Sequence, residues 1–394
     1  MVGRRARVRA VTDPLDSLRL LAAADPALLA ELAAAEGPDA FLAAATALAG
    51  RHGLALQPAD LAPLVTPDPL GLVEQGPPPL RCMGWPPPGW LPWRLAPDGD
   101  GLTGVDWAEF TGVPLDGAFH AAAVRDALAR PFNRLLRCRM GLGELLRGAP
   151  DSLRVPDGFV FHMSRCGSTL VARMLAALPG SYAINEPAPI DALLHASAGA
   201  PEEVRAAALR TMVGALGGRP SRRWFVKLSA WPVLELPLFR CAFPDVPWIF
   251  IHRDPAAVIA SQLATRGPEL DPLLTAPSLF GIADDRALPE EVYCATALAR
   301  LCEAALAAEG GAFVDHADLP EAFFSTILPH FGIDPDEAPR DRLQDIARRH
   351  AKHPDTSYRP DTAPIDPAIR AAADAHLAPL QARLKAVRGG KSLL

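Results

Sequence analysis

Lysine is nearly missing from this chain of 394 residues: Lys227, Lys352, Lys385 and Lys391 stand among 39 basic residues, the rest being arginine. An isolated arginine therefore says little here, whereas a lysine inside an apolar run says more. Positive charge is not in excess. Thirty-nine basic against 45 acidic residues leave a net charge of −6, which argues against a general nucleic-acid binder but leaves room for a local basic pocket. No uncharged apolar run reaches the roughly 18 residues of a membrane-spanning helix. The basic start, Met1 to Arg9, meets Thr12, Asp13, Pro14 and Asp16 before any apolar stretch forms, so it is not read as a signal peptide. None of the six cysteines (Cys82, Cys138, Cys166, Cys241, Cys294, Cys302) has C-x-x-C spacing, so a zinc or redox signature is lacking. They read as reduced, buried thiols in a cytoplasmic protein rather than as a disulfide framework. What the chain has in quantity is proline, 42 residues, with 30 glycines. That sum stays below the share of about 25–30% that marks low complexity, so the prolines punctuate a folded chain.

Three segments differ in character. Residues 1–65 form a small helical module: Asp25-Pro26, Gly37-Pro38 and Gln57-Pro58 punctuate short stretches with one apolar face. Residues 66–150 hold a Pro- and Trp-rich connector, "PPPLRCMGWPPPGWLPWRLAPDGDG", then a mixed extension. Such a connector is expected to be extended, with Trp85, Trp90 and Trp93 either clamping it to the body or offered to a ligand. From 151 to 394, short apolar runs alternate with helical stretches. "GFVFH" (158–162), "WFVKL" (224–228), "WIFIH" (248–252) and "AFVDH" (312–316) read as buried strands. That rhythm predicts an α/β, three-layer fold with a mainly parallel sheet, whose chemistry lies just after the strands.

The first strand runs into Ser164-Arg165-Cys166-Gly167-Ser168-Thr169 and then a helix. A strand, a turn of small residues and a helix N-terminus make a cradle for an oxyanion, because backbone N–H groups and the helix dipole both point at it. A Walker A loop needs a lysine where this chain has Ser168, which weakens an ATPase reading. A phosphatase C-x₅-R loop needs an arginine where it has Ala172. "WIFIHRDPAAVIASQL" follows, with Arg253 at a strand end and Ser261 eight residues on, able to return a hydroxyl toward the same anion. Asp254 reads as an N-cap.

"SRCGSTLVARML" and "WIFIHRDPAAVIASQL" resemble the two nucleotide-binding motifs of sulfotransferases that use 3′-phosphoadenosine-5′-phosphosulfate, and the resemblance covers residues 156 to 365. It implies a P-loop-type fold. It places Ser164, Arg165, Cys166, Gly167, Ser168 and Thr169 at the 5′-phosphosulfate, and Arg253 and Ser261 at the 3′-phosphate. The late basic segment "RRHAKHPDTSYRPD" would cover the nucleotide with Lys352 and Arg359, His353 and Tyr358 being further candidates. Catalysis would fall to Glu186 as general base, with Lys227 and Arg165 stabilising charge and no metal required. Glu186 could instead only cap a helix at Pro187. His162 and His316, at strand ends, are the alternative bases. The acceptor would be a hydroxyl or amine on a small molecule or peptide, with neither nucleic acid nor membrane as partner. The helical segment "DPALLAELAAAEGPDAFLAAATALAGRHGLALQPADL" resembles the leader-peptide module related to nitrogen-fixation-cluster proteins. The rival readings are a P-loop kinase and a non-catalytic peptide-binding protein on a degenerate scaffold.

Overall fold

A computed structural model of the chain describes residues 13–66, 77–98, 102–115, 117–283, 288–349, 356 and 364–387. It divides into two compact units, one of residues 1–113 with 124–150, the other of residues 114–123 with 151–394.

In the first unit four helices come first: α1 (Pro14–Ala24), α2 (Pro26–Ala33), α3 (Pro38–Arg51) and α4 (Pro58–Val65). Each begins with proline, whose missing N–H costs nothing in a first turn. Asp13 and Asp25 cap the first two by accepting from the N–H groups of Leu15 and Ala27. Their apolar faces bury Leu18, Leu32, Phe41, Leu48 and Leu61. The Pro- and Trp-rich stretch is not simply extended. It supplies β1 (Leu80–Arg81) and β2 (Trp90–Asp98), which join β3 (Leu102–Glu109) and β4 (Cys138–Gly141) in a sheet of order β1-β4-β3-β2. Trp90 is buried against Phe132, and the Trp85 ring meets Trp107 edge-on at 5.4 Å, so these two tryptophans pack within the 66–150 region itself. Helix α5 (His120–Ala129) belongs to this unit from Val124 on, and α6 (Pro131–Leu136) and α7 (Leu142–Arg147) follow. Buried Arg19 of α1 donates to the Leu135 carbonyl of α6, which ties the helical segment to the sheet region.

One expectation fails here. Cys82 and Cys138 are joined as a disulfide with their Cα atoms 5.2 Å apart. The parallel pairing of β1 with β4, Leu80 beside Cys138 and Arg81 beside Arg139, brings together two cysteines 56 residues apart, which no local spacing rule can detect. Cys166, Cys294 and Cys302 are free and buried as expected, while Cys241 is free and exposed.

The second unit is a three-layer α/β fold around a parallel sheet of β5 (Gly158–His162), β6 (Ser181–Asn185), β7 (Arg223–Lys227), β8 (Trp248–His252) and β9 (Gly311–Asp315). The strand order is β6-β7-β5-β8-β9. Four of these strands are the apolar runs of the sequence. The fifth, β6, falls in "SYAIN". The connecting helices are α8 (Ser168–Ala176), α9 (Ala188–Ala196), α10 (Glu202–Leu216), α11 (Leu236–Ala242), α12 (Pro255–Ala264) and α13 (Glu290–Ala307), followed by α14 (Leu328–His330), α15 (Arg340–Arg348) and α16 (Pro367–Ala386). Every residue of β5 and of β8 is buried, as expected of a strand covered on both faces. From β5 the chain turns toward β6 and β7; from β8 it turns the other way, to β9. The loops after β5 and β8 therefore diverge, and the crevice between them is where ligands of such sheets bind. Among the described residues no helix is long and apolar enough to cross a membrane.

Candidate functional site

The crevice is a cleft of about 450 Å³, within the usual range for small-molecule sites. Its floor is the loop between β5 and α8. Ser164 and Arg165 adopt positive φ, 70° and 48°, and Gly167, the N-cap of α8, has φ 86°. A side chain in this region costs about 1–3 kcal/mol, so the surrounding contacts must hold it there. Among the described residues the non-glycine positions with positive φ are Ser164, Arg165 and Glu186, and all three line this cleft. A Cβ on Gly167 would also lie 2.8 Å from the His316 ring.

The pins are specific. The Ser164 N–H donates to His162 Nδ1 at 3.0 Å, and His162 Nε2 lies 2.9 Å from the Leu228 carbonyl. One ring nitrogen accepts and the other donates, which fixes a neutral tautomer and leaves His162 ill placed to act as a base. The Cys166 thiol donates to the Ile251 carbonyl of β8 at 3.1 Å. Burial pushes that thiol up to about 11, so it remains protonated and contributes its backbone to the cradle, not a nucleophile. Ser168 and Thr169 open α8 and face the cleft. Arg165 donates to the Thr265 carbonyl.

Lys227 ends β7 directly beside β5, in register with Val160, and is 1% exposed. It forms an ion pair with Glu186, the residue after β6. The pairing of β6 with β7 sets this up: Asn185 is opposite Lys227, and the Glu186 N–H donates to the Lys227 carbonyl at 2.6 Å. Glu186 Oε1 is also 3.9 Å from His162 Nε2. Glu186 therefore lies in the cleft rather than capping α9, whose N-cap is Pro187. Nearby, Asp191 accepts from the Ser229 hydroxyl at 2.7 Å, and burial, reinforced by Glu186, lifts its carboxyl to about 6.

Arg253 leaves β8 with its N–H against Met163 Sδ at 3.3 Å, while its guanidinium donates to the Arg165 carbonyl at 3.3 Å. Ser261, two turns along α12, lines the same cleft. Asp254 caps α12 and pairs with Arg370 at 3.2 Å, as its reading as an N-cap requires. His316 lines the cleft too, and burial together with Arg253 lowers its pKa, so it is neutral at pH 7. The structure thus gathers Ser164 to Thr169, Glu186, Lys227, Arg253 and Ser261 at one place. Lys352 and Arg359, with His353 and Tyr358, lie outside the described residues.

Sequence reasoning missed Phe119, Arg266, Glu269 and Arg349, which also line the cleft. Phe119, Arg266 and Glu269 come from segments with no strand or loop motif to flag them, whereas Arg349 lies inside the late basic segment but was not among the residues named there. The cations Arg165, Lys227, Arg253, Arg266 and Arg349 outnumber the carboxylates Glu186 and Glu269, so the cleft suits a polyanion. No protein-family model matches this chain and no curated protein matches it, so the assignment of function rests on the site itself.

Proposed function

We propose that the chain is a sulfotransferase that uses 3′-phosphoadenosine-5′-phosphosulfate and transfers the sulfuryl group to a hydroxyl or amine of a small molecule or peptide. The observation that carries this reading is the convergence of two distant motifs: the strained cradle 164–169 and the pair Arg253 and Ser261 face one cleft. The two motifs differ in physics. The cradle offers amides, hydroxyls and a helix N-terminus to one oxyanion, and Arg253 offers a planar fork to a second. A ligand that carries two separate oxyanions, such as a nucleotide with a 5′-phosphosulfate and a 3′-phosphate, would engage both sets of donors.

The nucleotide supplies the sulfuryl group; the chain positions it and manages charge and a proton. Lys227 brings the buried cation to the cradle's edge, where Arg165, Ser168 and Thr169 also sit, and these groups stabilise negative charge that develops during transfer. Glu186, held by Lys227 and by its own strained backbone, is the carboxylate placed to take the acceptor's proton. The lysine that a kinase would need in the loop is replaced by Ser168, which favours sulfuryl over phosphoryl transfer. Residence in the cytoplasm belongs to the same proposal and sets a condition on the Cys82–Cys138 bridge, because a reducing compartment keeps such pairs open. Binding of 3′-phosphoadenosine-5′-phosphate tests the nucleotide assignment without knowledge of the acceptor.

A further inference from the structure

The segment after α12 is fastened to the cradle by three contacts that the proposed reaction does not use. Glu269 Oε1 accepts the hydrogen bond of the Ser164 hydroxyl. Buried Gln262 donates its amide to the same hydroxyl at 2.8 Å and accepts from the Gly267 N–H at 2.7 Å. Arg165 donates to the Thr265 carbonyl. The donor capacity of the Ser164 hydroxyl is thereby spent: its one hydrogen goes to Glu269, while it accepts from Gln262. Gly267 is shaped to permit this. A Cβ there would lie 2.7 Å from both carboxylate oxygens of Glu269, so only glycine lets the carboxylate fold back against its own chain.

We infer that Glu269 is an internal counter-ligand: its carboxylate occupies the Ser164 donor position of the cradle and must leave when an oxyanion binds, releasing residues 265–270 from the loop. The reasoning is electrostatic. A carboxylate in contact with the cradle repels the charge that the cradle's amides, Arg165 and Lys227 attract, and a bound oxyanion would meet it at close range. The carboxylate also resembles the ligand chemically, accepting the same hydroxyl hydrogen. Free-ligand affinity is thus reduced by the energy needed to displace it, and the same exchange frees a segment at the cleft's rim. Leu273 and Leu274 follow directly and are 91% and 70% exposed, so they are carried with any displacement of the segment. The inference rests on the proposal that the cradle takes an oxyanion, but not on which nucleotide carries it.

Two variants test it. Glu269→Gln removes the charge, and Gly267→Ala keeps the glutamate but displaces its carboxylate sterically, at a backbone φ of −78° that alanine accepts. Binding of inorganic pyrophosphate and of 3′-phosphoadenosine-5′-phosphate is measured by calorimetry for both variants and for the unaltered chain. Hydrogen exchange across residues 262–275 is followed with and without ligand. Both variants should bind both anions about tenfold tighter, the size expected for one charged contact. In the unaltered chain, anion binding should raise exchange at the Gly267 amide. Unchanged or weaker affinity in both variants would overturn the inference and leave the nucleotide assignment intact. Tighter pyrophosphate binding with no binding of the nucleotide would uphold the inference and remove the nucleotide assignment. Failure of every form to bind either anion would overturn both.

Discussion

The ion pair of Lys227 and Glu186 should be asymmetric, because its two partners differ in their access to water. The lysine side chain is 2% exposed and the glutamate side chain 25%. Glu186→Gln leaves a buried ammonium facing a neutral amide. Removing one partner of a buried pair costs about 3–5 kcal/mol, and the remaining hydrogen bond to the amide oxygen puts this case at the low end, about 3 kcal/mol. Lys227→Met removes the buried cation and refills most of its volume, while Glu186 can turn toward solvent. That change should cost under about 1 kcal/mol, the scale of a pair with one solvated member. Urea unfolding read by hydrogen exchange in residues 158–162 and 223–227 isolates the parallel sheet from the rest of the chain. A loss for Lys227→Met equal to or larger than that for Glu186→Gln would refute the reasoning. The same variants separate stability from chemistry. Glu186→Gln should lower turnover by about 10²–10⁴-fold without weakening nucleotide binding, because the Lys227 charge it leaves behind favours an anion. If it retains most of its turnover where chemistry limits the rate, His316 is the next base to test, since both ring nitrogens of His162 are already engaged.

Arg253→Ala removes a fork to the 3′-phosphate, a contact of about 1.5–3 kcal/mol, so affinity for the bisphosphate should fall about tenfold or more while that for AMP barely changes; equal losses would sink the assignment. Asp191 has its folded-state pKa lifted to about 6 from an ordinary 3.8, so the folded chain holds that proton more tightly than the unfolded chain between those values and loses stability as pH rises through the window. Asp191→Asn should therefore be more stable than the unaltered chain by about 2–3 kcal/mol at pH 8, with the gap closing as pH falls below 4, measured by urea unfolding across pH. The Cys82–Cys138 bridge predicts that the denatured, unreduced protein alkylates at Cys166, Cys241, Cys294 and Cys302 alone, with Cys241 first to react in the native state; labelling of Cys82 without reductant would contradict it.

The parallel sheet was legible because β5, β7, β8 and β9 are dense apolar runs, each followed by a polar change of character. Strand β6 was not, since "SYAIN", though as long as the other strands, begins and ends on polar residues and has alanine at its centre, and its neighbour Glu186 read as chemistry rather than as the end of a strand. The cradle and Arg253 were legible from spacing, because each depends on residues close in sequence. Glu269 and Arg266 were not, because what places them is the path of the chain after α12 and the side chain of Gln262, neither of which leaves a local pattern. The disulfide escaped for the same reason: its partners are neighbours only through the β1–β4 pairing. The connector read as extended from its prolines. Yet β2 accommodates Pro92 where the ladder with β3 shifts register, between Pro92 and Arg94, and the Asp106 carboxylate anchors Arg94 and Arg139 across the sheet.

Calorimetric titration with 3′-phosphoadenosine-5′-phosphate, run without magnesium and beside AMP and ATP, bears most directly on the proposed function. The account predicts binding at one site per chain, at least about tenfold tighter than AMP because of the 3′-phosphate, and independent of magnesium. Absence of binding, equal affinity for AMP, or preferential magnesium-dependent binding of ATP would contradict it.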